Sequence, residues 1–311
     1  MTNWTKTGRD YLSLRRALGF KLEWTGAELA DFARMLQRET ADYITVPLAL
    51  KWAHRTPSAK RTSAARRLSI VRGFARYVRA ADARTELPPN SLLPYHPKRA
   101  RTYLYTDEEI RSLLSTARQL SPDDALRRWT YYVLFGLLSV SGLRIREALD
   151  LRLNDVDLQT GVLHVQKTKM GQSRLVPLHA SARQQLKRYC SRRDRYFAGR
   201  DASDYFFVSK RGNRLDGAEV RRTFYRLSRQ IGLRGANDSH GPRIHDLRHR
   251  FATQTLIHWY RSGIDAERRI SVLSTYLGHV HVADTYWYLT ACPELMGYAV
   301  KRLERRWNEL S

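Results

Sequence analysis

The segment at residues 86–104, ELPPNSLLPYHPKRARTYL, limits what this chain can fold into more than any other stretch. Three prolines fall within seven residues (Pro88, Pro89 and Pro94), and Pro97 follows just before a basic run. Proline fixes φ, removes an amide donor and drives the preceding residue out of the helical region, so no helix or central strand can run through this stretch. The chain is therefore expected to form two units joined by an extended linker. The predicted layout is a helical unit at 1–85, a Pro-rich basic linker at 86–104 and a second unit at 105–311. The total of 311 residues suits two domains of ordinary size.

Lys and Arg number 55 against 30 Asp and Glu, a formal charge of +25. Ten of these cations are Lys and forty-five are Arg. Arg presents a planar fork that grips phosphate oxygens in pairs, so the bias favours a nucleic-acid partner. A GC-rich coding sequence can account for Arg over Lys, but not for the excess of cations itself. A hydrophobic fraction of 42% excludes a disordered basic tail. The longest strongly apolar stretch, 131–140, is about half the ~20 residues a membrane span needs. No membrane partner is expected, and the N-terminal MTNWTKTGRD holds no secretory core. Cys190 and Cys292 stand far apart without metal-ligand spacing, which argues against a disulfide framework or zinc module. The expected compartment is the cytoplasm, with the protein associated with the nucleoid.

In the first unit, Tyr11, Leu12, Leu14, Leu18 and Phe20 form an apolar stripe on one helix. Thr25 and Glu28 read as a capping box opening a second helix that carries Leu29, Phe32, Ala33 and Leu36. A short helix follows at 46–54. From Ser58 a longer one buries Leu68, Val71, Phe74, Ala75 and Val78. Its other faces carry Lys60, Arg61, Arg66, Arg67 and Arg72, with no acid between Lys51 and Asp82. Charge runs on solvated faces usually mix signs, and a single-sign face suits a phosphate backbone. These five cations are therefore the candidate DNA contacts.

Thr106 with Glu109 caps the first helix of the second unit, predicted at 107–118. Helices are further predicted at 122–139, 144–153, 181–192, 217–231, 246–260, 268–277, 282–289 and 293–309. A β-hairpin spans 162–166 and 174–178 around a turn at Met170-Gly171, and a strand is expected at 205–208. The predicted class is mainly α (α+β), two mostly helical domains with one small antiparallel sheet.

Four stretches carry candidate chemistry. In Ser141-Gly-Leu-Arg-Ile-Arg-Glu147, Arg144 opens a helix with Glu147 one turn on. Lys167-Thr-Lys169 leads into the hairpin turn that returns at Arg174. In Ile244-His-Asp-Leu-Arg-His249, His245 and Arg248 share a helical face while His249 points partly elsewhere. Leu277-Gly-His279 is followed nine residues later by Tyr288. Each alone is ordinary in a helical protein: an i,i+3 ion pair, a solvated turn, a core aromatic. An imidazole beside a guanidinium does, however, match the anionic oxygens of one phosphate.

Taken together and in this order, the four stretches resemble the tyrosine recombinase (phage integrase) family. Its signature is G-L-R-x-x-E, a hairpin Lys, H-x-L-R-H, L-G-H and a Tyr nine residues after the last His. The resemblance implies that Arg144 and Arg248 clamp a scissile phosphate, with His245 and His279 beside it. Tyr288 would be the nucleophile that forms a 3′-phosphotyrosyl link. Lys169 would protonate the departing 5′-oxygen, with Lys167 as the competing choice, and Glu147 would support the site. It further implies no metal, ATP or other cofactor. The partners it implies are double-stranded DNA recombination sites and a homotetrameric synapse of protomers that are monomeric when free. Neighbours would be linked by a C-terminal exchange helix at about 293–311, with Leu295, Met296, Tyr298, Ala299, Leu303 and Trp307 on its apolar side. A type IB topoisomerase and an inactive DNA-binding regulator share enough of this pattern to stand as alternatives. The segment around LSTYLGH and DTYWYL is also similar to recombinases of transposon-type elements. The stretch 259–274 is longer than the family's usual link between the two histidine motifs.

Overall fold

The computed structural model describes residues 2–56, 61–93, 102–121, 125–166, 173–238, 240–290 and 293–308. The chain divides into two compact units, Met1–Ala100 and Arg101–Ser311.

The first unit is built from α1 (Trp4–Ala17), α2 (Glu23–Arg38), α3 (Val46–Ala53) and α4 (Arg61–Arg79). Its core joins Trp4, Tyr11, Leu29, Phe32, Leu36, Trp52, Leu68, Val71 and Phe74. The buried faces of α2 and α4 are those expected from sequence, whereas that of α1 is different. Trp4, Gly8, Tyr11 and Leu12 face inward, and Leu14, Leu18 and Phe20 are exposed. The helix stops at Ala17, so Leu18 and Phe20 leave its face, and at 100° per residue Leu14 stands well off the buried side. The start of α2 also departs from expectation. Leu22 takes a left-handed conformation (φ 44) and gives no side-chain cap. Glu28, expected to close a capping box, instead accepts from Arg66 at 2.7 Å. Residues 86–93, expected as linker, pack on this unit. Arg72 donates to the carbonyls of Pro88 (2.7 Å) and Pro89 (2.9 Å), and Leu87 and Leu93 lie against the core.

The second unit starts at α5 (Asp107–Arg118), whose N-terminus carries the expected Thr106–Glu109 capping box. Next come α6 (Ala125–Ser141), α7 (Ile145–Asp150) and a 3-10 turn at Leu153–Asp155. Three short strands, β1 (Val156–Asp157), β2 (Val162–Val165) and β3 (Arg174–Pro177), form an antiparallel sheet in the order β1-β2-β3. Pairing of Leu163 with Val176 turns both side chains into the core. β1 is an addition to the expected hairpin. The strand expected at 205–208 is reduced to isolated bridges, Arg152 with Tyr205 and Val208 with Arg214. Its Phe206 and Phe207 are apolar because they fill the core, not because they pair in a ladder. The remaining helices are α8 (Ala180–Tyr196), α9 (Gly217–Gln230), α10 (Ile244–Arg261), α11 (Ala266–Leu277), α12 (Ala283–Thr290) and α13 (Pro293–Asn308). The hydrophobic α6 anchors the main core, while α10, α11 and α12 enclose a second one around Leu256, Leu273, Leu277 and Tyr288. Among the described residues no helix is long and apolar enough to cross a membrane.

Candidate active site

Two glycines shape the site. α6 ends at Ser141 and the chain turns through Gly142 at φ +60, where an added Cβ would lie 2.5 Å from a Phe251 ring carbon. α11 ends at Gly278 at φ +68, where a Cβ would meet the Arg174 guanidinium at 2.7 Å. Left-handed backbone and close approach both require glycine here. The two turns aim carbonyls at the motif arginines. Gly142 O accepts from Arg248 Nη1 (2.8 Å), Leu277 O from Arg248 Nη2 (2.7 Å) and Gly278 O from Arg144 Nη2 (2.9 Å). Guanidiniums from positions 144 and 248 are thus fixed side by side by the ends of two other elements.

Glu147 ties this frame together. Its Oε1 accepts from Arg144 Nη1 (2.8 Å) and Arg174 Nη1 (3.0 Å). Its Oε2 accepts from the Arg144 backbone amide (2.9 Å) and Arg174 Nη2 (2.8 Å). Burial pushes the Glu147 carboxyl up, but Arg174 and then Arg144 outweigh it and hold it below the usual range. Arg174 also donates from Nε to the Tyr276 carbonyl (2.8 Å), which links β3 to α11.

Tyr288 is 2% exposed, whereas Tyr286 is 49% exposed. The two residues differ by about 200° around α12, so only one can face inward. The Arg248 guanidinium stands close to the Tyr288 hydroxyl. Burial raises the phenol above its ordinary value, and the Arg248 charge opposes that rise. Burial, then the Arg144 charge, lowers Arg248 to about 10. The His279 ring stacks on Tyr288 at 6.0 Å and 18°, and its Nδ1 hydrogen-bonds the buried Thr285 hydroxyl at 2.7 Å. Burial and then Arg248 lower His279 to about 4. His245 sits at the exposed rim and is also lowered, by loss of water around it and then by Arg248. Both imidazoles are disfavoured as cations first by burial and then by the Arg248 and Arg144 charges.

The structure therefore gathers Arg144, Glu147, His245, Arg248, His279 and Tyr288 into one cluster. Lys169 and its competitor Lys167 lie outside the described residues, as does Lys60. Of Arg61 only the backbone is described, at the start of α4. The other expected DNA contacts stand apart from the cluster in the first unit, and each has an intrachain partner. Arg66 pairs with Glu28, Arg67 donates to Ala53 O (3.1 Å) and Thr56 Oγ1 (3.3 Å), and Arg72 holds the prolyl carbonyls. The single-sign face read from sequence is thus partly neutralised by Glu28, 38 residues before Arg66. The sequence reading took Arg174 only as the return of the hairpin, and gave Gly142, Gly278 and Thr285 no part in the site. The glycines in S-G-L-R and L-G-H were the available signal. In α13, Leu295 is buried in the same core cluster as Tyr288, and Arg261 binds Glu294 (2.7 Å) and the Tyr298 hydroxyl (2.9 Å). Met296 and Trp307 are exposed, while Ala299 and Leu303 lie outside the described side chains. The apolar side expected for this helix is therefore divided, with Leu295 packed on its own chain.

The model of the phage integrase family matches residues 104–294. The chain belongs to the phage integrase family, the tyrosine recombinases. A relative from Sinorhizobium fredii, named as the integrase/recombinase y4rB, is 55% identical over 312 residues, covering 99% of each chain. The tyrosine recombinase XerD of Proteus mirabilis is 32% identical over 76% of this chain and 70% of its own. The fold is that of solved recombinases. The Tn1549 transposon integrase in complex with transposon right end DNA superposes with a TM-score of 0.66 at 16% identity, covering 96% of this chain and 98% of its own. XerH bound to a palindromic difH substrate, in a post-cleavage complex, gives 0.64 at 19% identity, covering 90% and 78%.

Proposed function

We propose that this protein is a site-specific DNA recombinase that breaks and rejoins duplex DNA through a 3′-phosphotyrosyl intermediate, without metal or ATP. The observation that carries this reading is the buried Tyr288 phenol set against the Arg248 guanidinium, whose charge acts on it, with Arg144 alongside. A phosphodiester repels nucleophiles because its oxygens are anionic. Two fixed guanidiniums and two imidazoles offset that charge as it grows during attack. Tyr288 Oη attacks phosphorus, the bond to the 5′-oxygen breaks, and the phenolic proton passes to His245. Lys169 gives a proton to the departing 5′-oxygen. With Nδ1 of His279 engaged by Thr285, its Nε2 is the nitrogen left for a phosphate oxygen. A 5′-hydroxyl of a second strand then reverses the chemistry, and the covalent link conserves the bond energy.

In this reading the first unit is the core-binding domain and the second the catalytic one. Synapsis is homotetrameric, with α13 beyond Leu295 reaching a neighbour. The test is a nicked suicide substrate that traps the covalent adduct in excess EDTA. Tyr288→Phe should bind DNA yet form no adduct, and Tyr286→Phe should still form it. Phosphate mapped to Tyr286, or adduct that needs magnesium, overturns the assignment. Relaxation of plasmid without exchange of sites would favour the topoisomerase alternative, and DNA binding without any adduct would favour the regulator.

A further inference from the structure

His249 belongs to the H-x-L-R-H motif but has no part in the chemistry above. It lies one turn after His245 and beside Arg248 on α10, half-buried. Its ring touches His245 (centroids 4.6 Å, interplanar angle 84°), Trp287 (5.0 Å) and Tyr288 (5.5 Å, 58°). Among the ring contacts of the described residues, it is the one ring that meets both the nucleophile and His245.

Nδ1 of His249 is buried and has no hydrogen-bond partner among the described residues. A buried polar atom left unpaired is costly, and an apolar side chain would fill the same space without that cost. The group closest in chemistry to this nitrogen is the Tyr288 hydroxyl. It is buried, with the Arg248 charge acting on it, and its ring meets that of His249. A buried ring nitrogen without a partner and the nucleophile's hydroxyl therefore sit on two rings in contact.

We propose that His249 positions the nucleophile: its Nδ1 accepts a hydrogen bond from the Tyr288 hydroxyl as that side chain turns toward the scissile phosphate. With Arg248 donating to the oxygen and Nδ1 holding the proton, the remaining lone pair of Oη is left to point at phosphorus. A near-attack geometry of this kind is worth orders of magnitude in rate. Burial and then the neighbouring His245 hold His249 at about 4, so it orients the O–H and does not keep the proton. This inference rests on the recombinase reading and adds the residue that aims its nucleophile.

Two variants separate the ring from the nitrogen. His249→Phe keeps a ring and removes the acceptor; His249→Asn removes the ring and keeps an oxygen acceptor near the place of Nδ1. Single-turnover adduct formation on the suicide substrate, DNA affinity and thermal stability would be measured for each full-length protein. The expected result is that His249→Phe binds DNA like wild type but cleaves about ten- to a hundredfold more slowly, as the loss of one well-placed hydrogen bond implies. His249→Asn should recover cleavage to within a fewfold of wild type. If Phe is not accommodated, His249→Leu serves as the variant without an acceptor. Wild-type cleavage by His249→Phe or His249→Leu, or cleavage by His249→Asn no faster than theirs, overturns the proposal. Failure of the underlying reading looks different, because wild type itself would then form no adduct at Tyr288.

Discussion

Glu147→Gln is the perturbation whose consequences the geometry defines most tightly. All four contacts to the carboxylate come from N–H groups, two on each oxygen. Whichever way a glutamine amide is set, its NH2 faces two donors. The side chains of Glu147 and Arg174 are 7% and 8% exposed, so solvent cannot replace the lost charge. Removing one partner of a buried ion pair costs about 3–5 kcal/mol. At about 2–4 °C per kcal/mol for a unit of this size, the second unit's melting transition should fall by about 6–20 °C. Arg144 is more open, at 36% exposed, so its share is discounted for solvent screening. Cleavage should fall about 100-fold even below the transition, because a guanidinium displaced by an ångström no longer meets the phosphate. Scanning calorimetry and adduct formation measure the two effects. The double variant Glu147→Gln with Arg174→Met should regain part of the stability, since the unpaired buried charge is gone, but not the cleavage. A shift below about 2 °C with wild-type cleavage would refute the reasoning, as would a double variant less stable than the single one.

Gly278→Ala should cost about 1–2 kcal/mol of stability from left-handed backbone alone. It should also slow cleavage, because the new Cβ displaces Arg174 and the carbonyl that holds Arg144; a wild-type rate would show that this turn does not position the site. Acid titration should destabilise the fold for two reasons. The Glu147 carboxyl is lowered from its usual 4.5, so its contribution is complete above that value and lost as pH falls through the folded value. His279 is lowered to about 4 from 6.5, so the unfolded chain binds more protons between those values and stability rises with pH across that window. Melting temperatures from pH 7 to pH 3 test both, and Glu147→Gln should flatten only the lowest limb. DNA affinity should fall steeply with salt, with log K against log salt sloping about −0.9 per phosphate contact. In that titration Arg66→Gln should lower the slope more than Arg72→Gln, whose guanidinium is occupied by prolyl carbonyls. Deletion from residue 293 should impair adduct formation as well as synapsis, because Leu295 belongs to the core cluster that holds Tyr288, whereas deletion from residue 302 should impair synapsis alone.

What the sequence determined by itself was everything that rests on local spacing. Helical periodicity gave the buried faces of α2 and α4. Thr106 and Glu109 announced the start of α5, and four motifs in order pointed to the six residues that cluster. Each of these is a rule about neighbours within a few positions of one another. Only the tertiary structure could decide the rest, because it depends on which distant groups meet. Glu28 looked like a cap and is a counter-ion for α4, since a charge goes to the strongest partner within reach. Arg72 looked like a phosphate contact and is a clamp on Pro88 and Pro89. Arg174 looked like a marker in a hairpin, yet it holds Glu147 from 27 residues away. The aim of Arg248 depends on carbonyls at Gly142 and Leu277, 106 and 29 residues distant. A guanidinium has a fixed fork but a flexible stem, so its identity is written locally while its direction is set by the oxygens that the fold brings to it.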